Sequence, residues 1–523
     1  MRVYLFPLVY LQRFIVPAVC LLALWAIYRM VAKKDVAVGL VLYIGLVVVV
    51  DGFMNTGLYL PGLEKGSIRF SELCAVYLIF NATWNVKPAP LHTSISRMMT
   101  LYFALLFVAA LRAQPALAGI FEFRRLIVSQ ILAFTIARRG LDSTQAYRRF
   151  FRCLSGLVIF FGLFTFYDLF FDHTILKSDM LENGIYWHNR AHNRFGSFFL
   201  NPNYFAAFVV MVFPTIFVWT LGEKRQANRL FGAGAMLVLV FSLVETQSRA
   251  PLLAFGITLV MLIFGPSADL SRTRRTLFFG TFAVLFTLLM PGFLQHAMGR
   301  FNTIDTEMSA DNGRSRETTW AYTARMIKDH PVLGIGFGEA QFMRYMDAYG
   351  FGDEFEGEQS LDAPHNSFLQ VAVYAGLPAL ALFAVSNLLL FAKVARISLG
   401  RAPDGSSAFA FGLAVGLLGF LACVYTDLQL FTVTAAPGYW VCFGLLLSLG
   451  GGQPLERTAA LAVAPESDAQ SPSSWWTAHP PLAHPHGRSQ IAAPTANRHK
   501  VNASVMAGSR GVSGRERRRT RMS

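Results

Sequence analysis

Apolar residues in this chain come in runs of about 18 to 22, separated by basic clusters or turn-forming residues. A helix needs about 20 apolar residues to cross the hydrocarbon core of a bilayer. Read run by run, the pattern predicts spans near 14–31, 36–54, 68–85, 95–112, 120–137, 151–171, 202–221, 230–247, 251–266, 276–292, 366–392, 408–427 and 434–451. The expected fold is all-α: a polytopic transmembrane helix bundle of about 12-13 spans with a large, partly helical loop on its outer side. The first apolar stretch, Phe14 to Met30, runs into Lys33 and Lys34 without a small-residue cleavage site, so it reads as a retained span. Segment 120–137 is the weakest of the set because Arg124 and Arg125 lie inside its start.

The polar positions orient the bundle. Lys33/Lys34, Arg138/Arg139 with Arg148/Arg149, Lys224/Arg225/Arg229, Arg272/Arg274/Arg275 and Lys393/Arg396/Arg401 all fall on one side if these spans are real. Basic loops stay cytoplasmic. Residues 172–201 and 293–365 are then outside and the tail inside, whereas Arg2 and Arg13 run against the outer amino terminus that thirteen spans require. The expected division is a membrane domain over 1–451 and a disordered basic cytoplasmic tail over 452–523, rich in Pro, Ser, Ala and Arg. Attraction to anionic lipid headgroups is one role for that tail; a tolerated extension is the other.

Composition agrees with lipid as the solvent, at 54% hydrophobic and 15% charged residues over 523 positions. A net charge of +15 ordinarily points to nucleic acid, but here eight Lys or Arg crowd Arg498 to Arg521 against Glu516 alone, and much of the rest flanks apolar runs. No nucleic-acid partner is expected; membrane lipids are. Cys20, Cys74, Cys153, Cys423 and Cys442 lie in or beside apolar segments, which argues against a disulfide framework or a cysteine metal site.

Chemistry-bearing residues gather in the outer segments and at the span ends beside them. Arg249, in Glu245-Thr246-Gln247-Ser248-Arg249-Ala250-Pro251, sits where two spans meet; an ionisable residue there is either functional or an interfacial Arg paired with Glu245. His365, in Pro364-His365-Asn366-Ser367, stands at the start of a span. It can act as a base near a helix amino terminus that favours anions, or merely cap the helix. Arg314-Ser315-Arg316-Glu317-Thr318-Thr319-Trp320 opens an amphipathic stretch to His330 in which Trp320, Ala324, Met326 and Ile327 are expected to face a core. Its arginines suit a diphosphate, although a solvated helix face looks similar. Arg194 to Asn203 forms a polar turn before a span, and Pro202 can simply start the helix. His188 and His192 have metal-ligand spacing but no obvious third ligand. The turn Gly334-Ile335-Gly336-Phe337-Gly338 follows no predicted strand, which removes a dinucleotide reading.

Taken in order, Arg194…Asn201-Pro202-Asn203, Ser248-Arg249-Ala250, Arg316…Trp320…Asp329-His330-Pro331…Gly334-Ile335-Gly336 and Pro364-His365-Asn366-Ser367-Phe368-Leu369-Gln370…Gly376-Leu377-Pro378 resemble the O-antigen ligase and O-antigen polymerase (Wzy-type) family of bacterial membrane glycan transferases. The resemblance covers about residues 190 to 380; Ala379 stands where the family often has Gly. It implies a multi-pass enzyme of the bacterial inner membrane, active at the periplasmic face. Such an enzyme moves a glycan from an undecaprenyl-diphosphate carrier to lipid A-core or another glycan acceptor, with no cofactor and no metal. Carried onto this chain, Arg249 and Arg316 become diphosphate clamps and His365 the base, with Arg194, Arg314, Asn203 and Asn366 as substrate-binding residues. Ligase and polymerase differ in acceptor, and no residue separates them. A polysaccharide transporter or a non-catalytic export-complex component is the alternative of another class, but transporters place polar residues at mid-membrane and often show repeated halves.

Overall fold

The computed structural model describes residues 35–53, 68–85, 93–170, 194–289, 316–351, 363–399 and 406–449 apart from a few single positions, together with parts of 25–33 and the short strand at 57–58. The chain divides into Met1–Ala464 and Pro465–Ser523, and the second unit lies outside the described residues. So do residues 14–24 of the expected span 14–31, His188, His192, Arg314, residues 352–362, and the tail from 452.

The architecture is all-α, and two-residue strands at Gly57–Leu58 and Ile68–Arg69 form an antiparallel ribbon beside it. In chain order the helices are α1 (Val36–Leu46, continued as a π-helix over Val47–Phe53), α2 (Phe70–Asn85), α3 (Ser94–Arg112), α4 (Ala116–Phe123), α5 (Ser129–Ala137), α6 (Thr144–Phe170), α7 (Pro202–Gly222) and α8 (Gln226–Glu245). They continue as α9 (Arg249–Phe264), α10 (Arg272–Leu289), α11 (Arg316–Asp329), α12 (Glu339–Ala348), α13 (Ser367–Leu399), α14 (Ser406–Val424) and α15 (Ala436–Ser448). Six of these, α3, α6, α7, α8, α13 and α14, are long and apolar enough to cross a membrane, and α1, α2, α9 and α15 are shorter apolar helices. The protein is a multi-pass membrane protein. The expected segment 120–137 is α4 and α5 joined by a π-helical turn at Arg124–Val128, where the two arginines lie.

α7 and α14 form the centre. Both are apolar on every side and almost wholly buried, which is how a helix surrounded by other helices reads. They approach closely because Gly412 and Gly416 face α7: a Cβ on Gly416 would run into the Met211 carbonyl. α8 and α9 pack around α7, α13 packs on α3, and α15 packs on α5. At the basic ends of the helices, Arg148 pairs with Glu223 at 2.9 Å and Arg149 with Asp35 at 2.6 Å.

α13 is broken at Gly376, whose φ of 85° no helix contains. Pro378 brings no N–H to the carbonyl of Tyr374, four residues earlier, so backbone groups are left over inside the bundle. The segment after α11 supplies their partners. Ile335 N–H donates to the Val373 carbonyl at 2.8 Å and Gly336 N–H to the Tyr374 carbonyl at 3.2 Å, while Leu377 N–H donates to the Pro331 carbonyl at 2.7 Å. Gly334 and Gly376 both have positive φ and both lie against opposing backbone, so neither has room for a side chain. The glycine-rich turn thus docks the outer helices onto the broken span, and that contact sets where the start of α13 lies.

One sequence expectation shifts here. α11 buries Thr319, Tyr322, Thr323 and Met326; of the four residues expected to face a core, Met326 is buried, Ile327 packs partly buried against the core, Trp320 is half-buried and Ala324 is exposed. The buried stripe keeps the i, i+3, i+4, i+7 spacing, but two of its members are threonines. Thr323 hides its hydroxyl by donating to the Thr319 carbonyl at 2.7 Å. A hydropathy reading counts both as polar and rotates the face.

Candidate functional site

Four chain turns meet at one end of the bundle. The first leads into α7: Asn201 caps the helix by accepting from Asn203 N–H at 2.9 Å, which sets Asn203 in the first turn. The second is the tight link between α8 and α9, where Gln247 adopts a left-handed φ of 50°, Ser248 is the N-cap position and Arg249 begins α9. The third precedes α13: His365 has φ 47°, and Asn366 accepts from Phe368 and Leu369 N–H at 3.0 and 3.1 Å. The fourth follows α14 and carries Asp427, which is 4% exposed.

Asp427 joins the other three. Its Oδ2 accepts from Asn203 Nδ2 at 2.7 Å, and its Oδ1 lies 3.2 Å from His365 Nδ1 and accepts from Leu428 N–H at 2.9 Å. Ser367 donates its hydroxyl to the Asp427 carbonyl at 2.8 Å. On the far side of Asn203, its Oδ1 accepts from Arg194 at 2.8 Å and from Ser248 Oγ at 2.8 Å. Arg194 also donates to the Thr246 carbonyl and to Ser248, each at 3.3 Å. A continuous path therefore runs from the Arg194 guanidinium through Asn203 and Asp427 to the His365 ring.

Electrostatics fixes the protonation pattern. Burial alone pushes the Asp427 carboxyl up, but the hydrogen bond and charge of His365, the charge of Arg316 and the Leu428 N–H together hold it below the ordinary carboxylate value. Asp427 is an anion and can only accept, so the hydrogen between it and His365 belongs to Nδ1. The neutral ring then carries its lone pair on Nε2, and with the side chain 24% exposed, His365 is accessible while its carboxylate is not.

Arg316 is exposed at the first turn of α11. One turn on, Trp320 donates its indole N–H to the Pro364 carbonyl at 2.7 Å and meets Tyr425 edge-on at 6.0 Å, which ties α11 to the turns bearing His365 and Asp427. Arg249 is half-buried beside Ser248. The structure thus gathers Arg194, Asn203, His365 and Asp427 into one bonded network, with Arg249 and Arg316 on the elements that border it. Asn366 is buried and its carboxamide oxygen is occupied in the helix cap. Asn203 is likewise engaged on both ends of its carboxamide. Among the described residues no group of three His, Cys, Asp or Glu side chains is placed to hold a metal ion.

Asp427 is the residue that motif reasoning missed. Its signal was a lone carboxylate at the end of the apolar run 408–427, and an ionisable residue at such a position is a functional candidate by default.

No curated protein matches the chain. Residues 234–384 match the family model described as O-Antigen ligase, a stretch that holds Ser248, Arg249, Arg316, Trp320, His365 and the Gly376 break but neither Arg194 nor Asp427. Over these residues this multi-pass membrane protein is similar to the O-antigen ligase family.

Proposed function

We propose that the protein transfers a glycan from an undecaprenyl-diphosphate carrier to a hydroxyl acceptor at the periplasmic face of the inner membrane. The observation that carries the reading is the buried Asp427 carboxylate, which holds His365 in one tautomer with Nε2 outward. A base of this kind accepts the acceptor hydroxyl proton as its oxygen attacks the anomeric carbon of the donor sugar. The new glycosidic C–O bond forms, the bond from the anomeric carbon to the diphosphate breaks, and the electron pair leaves on the carrier diphosphate. That departing charge is stabilised by Arg249 and Arg316, whose guanidinium forks bind two oxygens at once. Arg194 and Asn203 position the dyad from behind, Asn366 holds the start of α13, and Arg314 extends the basic segment ahead of α11.

A ligase would use lipid A-core as acceptor and a polymerase a second carrier-linked glycan; the chemistry at His365 is the same for both. The test is reconstitution of the purified chain with the carrier-linked donor and each acceptor in turn, in the presence of EDTA. Release of carrier diphosphate with matching growth of the acceptor supports the reading. Activity lost in EDTA and restored by magnesium or manganese contradicts the assignment of charge stabilisation to arginine. An unaltered donor in both reactions contradicts the transfer itself.

A further inference from the structure

A second charged cluster lies beside the one described. Arg69 ends the Gly57–Leu58/Ile68–Arg69 ribbon and stands immediately before α2. It is only 7% exposed, yet among the described residues its Nη1 has no hydrogen-bond partner and no carboxylate pairs with its guanidinium within 4 Å. The acids around it are engaged elsewhere. Asp51 accepts from the Ser71 hydroxyl and backbone N–H. Glu72 accepts through Oε2 from Arg124 at 2.7 Å and from Arg69 N–H at 3.2 Å. Glu122 and Glu339 lean towards Arg125 at 4.0 and 3.9 Å, and Glu122 also accepts from Glu339 N–H. The charges of Asp51 and Glu72 favour the Arg69 guanidinium, and those of Arg125 and Arg124 oppose it. Glu72 Oε1 is buried too and has no hydrogen-bond partner among the described residues.

The two carboxylates answer the charge of Arg69 but not its Nη1 hydrogens, and a buried guanidinium N–H without an acceptor is costly. The neighbouring orphan narrows what completes the pair. Arg69 Nη1 can only donate and Glu72 Oε1 can only accept, so the missing group must accept from one and donate to the other. A phosphate monoester in its singly protonated form does both: its bare oxygens accept from Arg69 and its P–OH donates to Glu72. A phosphodiester has no such proton. We propose that Arg69, Glu72 and Arg124 form a second binding site, for a phosphate-monoester group, at the end of the bundle that carries His365. The placement follows from packing, because the π-helix holding Asp51 lies against Ser197–Phe199, just after Arg194.

The inference concerns binding, so its test does not depend on glycan transfer. The full-length chain, carrying Arg249→Ala and Arg316→Ala to disable the first site, is placed in phosphatidylcholine nanodiscs near pH 6. Thermal unfolding is followed with added inorganic phosphate, and separately with discs doped with phosphatidic acid or phosphatidylglycerol. The expected result is a saturable rise in Tm with inorganic phosphate, phosphatidic acid or both, but not with phosphatidylglycerol. A response to inorganic phosphate assigns a free ion, and a response to phosphatidic acid alone assigns a lipid headgroup. Adding Arg69→Met should weaken the apparent Kd roughly tenfold or more, while leaving the ligand-free Tm equal or higher, since a buried charge is gone. Absence of any shift overturns the proposal, and so does an equal shift with phosphatidylglycerol. A shift that survives Arg69→Met, with a lowered ligand-free Tm, would make Arg69 a structural residue instead.

Discussion

At the scale of single residues, the account rests on how Asp427 and His365 share one hydrogen. A carboxylate whose folded pKa is depressed stabilises the fold above its unfolded value, near 3.9, and loses that contribution only as pH falls through the lower folded value. Acidification from pH 7 to about 5 therefore leaves Asp427 ionised, and any acid limb of transfer in that range reports His365. Asp427→Asn should shift that limb to lower pH, because the ring loses the anion that favours its charged form, and should cut the rate roughly a hundredfold. An acid limb that does not move in this variant, measured as rate against pH at constant protein abundance, would separate Asp427 from the base. A further expectation is that Arg249→Lys fails to restore full activity, since an ammonium keeps the charge and loses the fork. His365, Arg249 and Arg316 were legible in the sequence because each stands in an ordered motif. Asp427 was not, because no neighbouring motif marks it and its role exists only once α14 ends beside α13.

At the scale of elements, the broken helix α13 does the positioning. The turn just before it carries His365 and Asn366, and its orientation is set where the turn 331–336 supplies hydrogen bonds to the backbone freed at Gly376. Gly376→Ala would force a positive φ on a residue with a Cβ and drive that Cβ into the Val332 carbonyl. The conformational penalty alone is about 1–3 kcal/mol, and the clash adds to it. The expected outcome is a Tm lowered by several degrees together with reduced transfer, measured by thermal denaturation and by the reconstituted assay. An unchanged Tm would mean that this junction is not under the constraint described. Sequence showed the glycine turn and the Gly376-Leu377-Pro378 break as separate features. That one satisfies the other could not be read, since their pairing is a tertiary contact between a loop and a span.

At the scale of the whole molecule, the period and length of the apolar runs were enough for the all-α membrane fold, because lipid leaves a spanning chain few alternatives. The helices α3 to α10 and α13 to α15 fall close to the expected runs, and α11 and α12 lie in the expected outer segment 293–365. The breaks and joins within them, such as the π-helical turn at Arg124–Val128, come from packing and charge that hydropathy does not register. The orientation remains a proposal drawn from the basic loops, and alkaline phosphatase fused near Gly350 should be active while a fusion in the tail should not. An inactive fusion near Gly350 at normal abundance would reverse the bundle and remove the periplasmic reaction. The most direct test of the central claim is transfer from undecaprenyl-diphosphate-linked glycan by purified protein carrying His365→Ala, Arg249→Ala or Arg316→Ala, with membrane abundance measured alongside. The account predicts that each variant folds and loses transfer by roughly a hundredfold or more; near wild-type turnover by both His365→Ala and Arg249→Ala would contradict it.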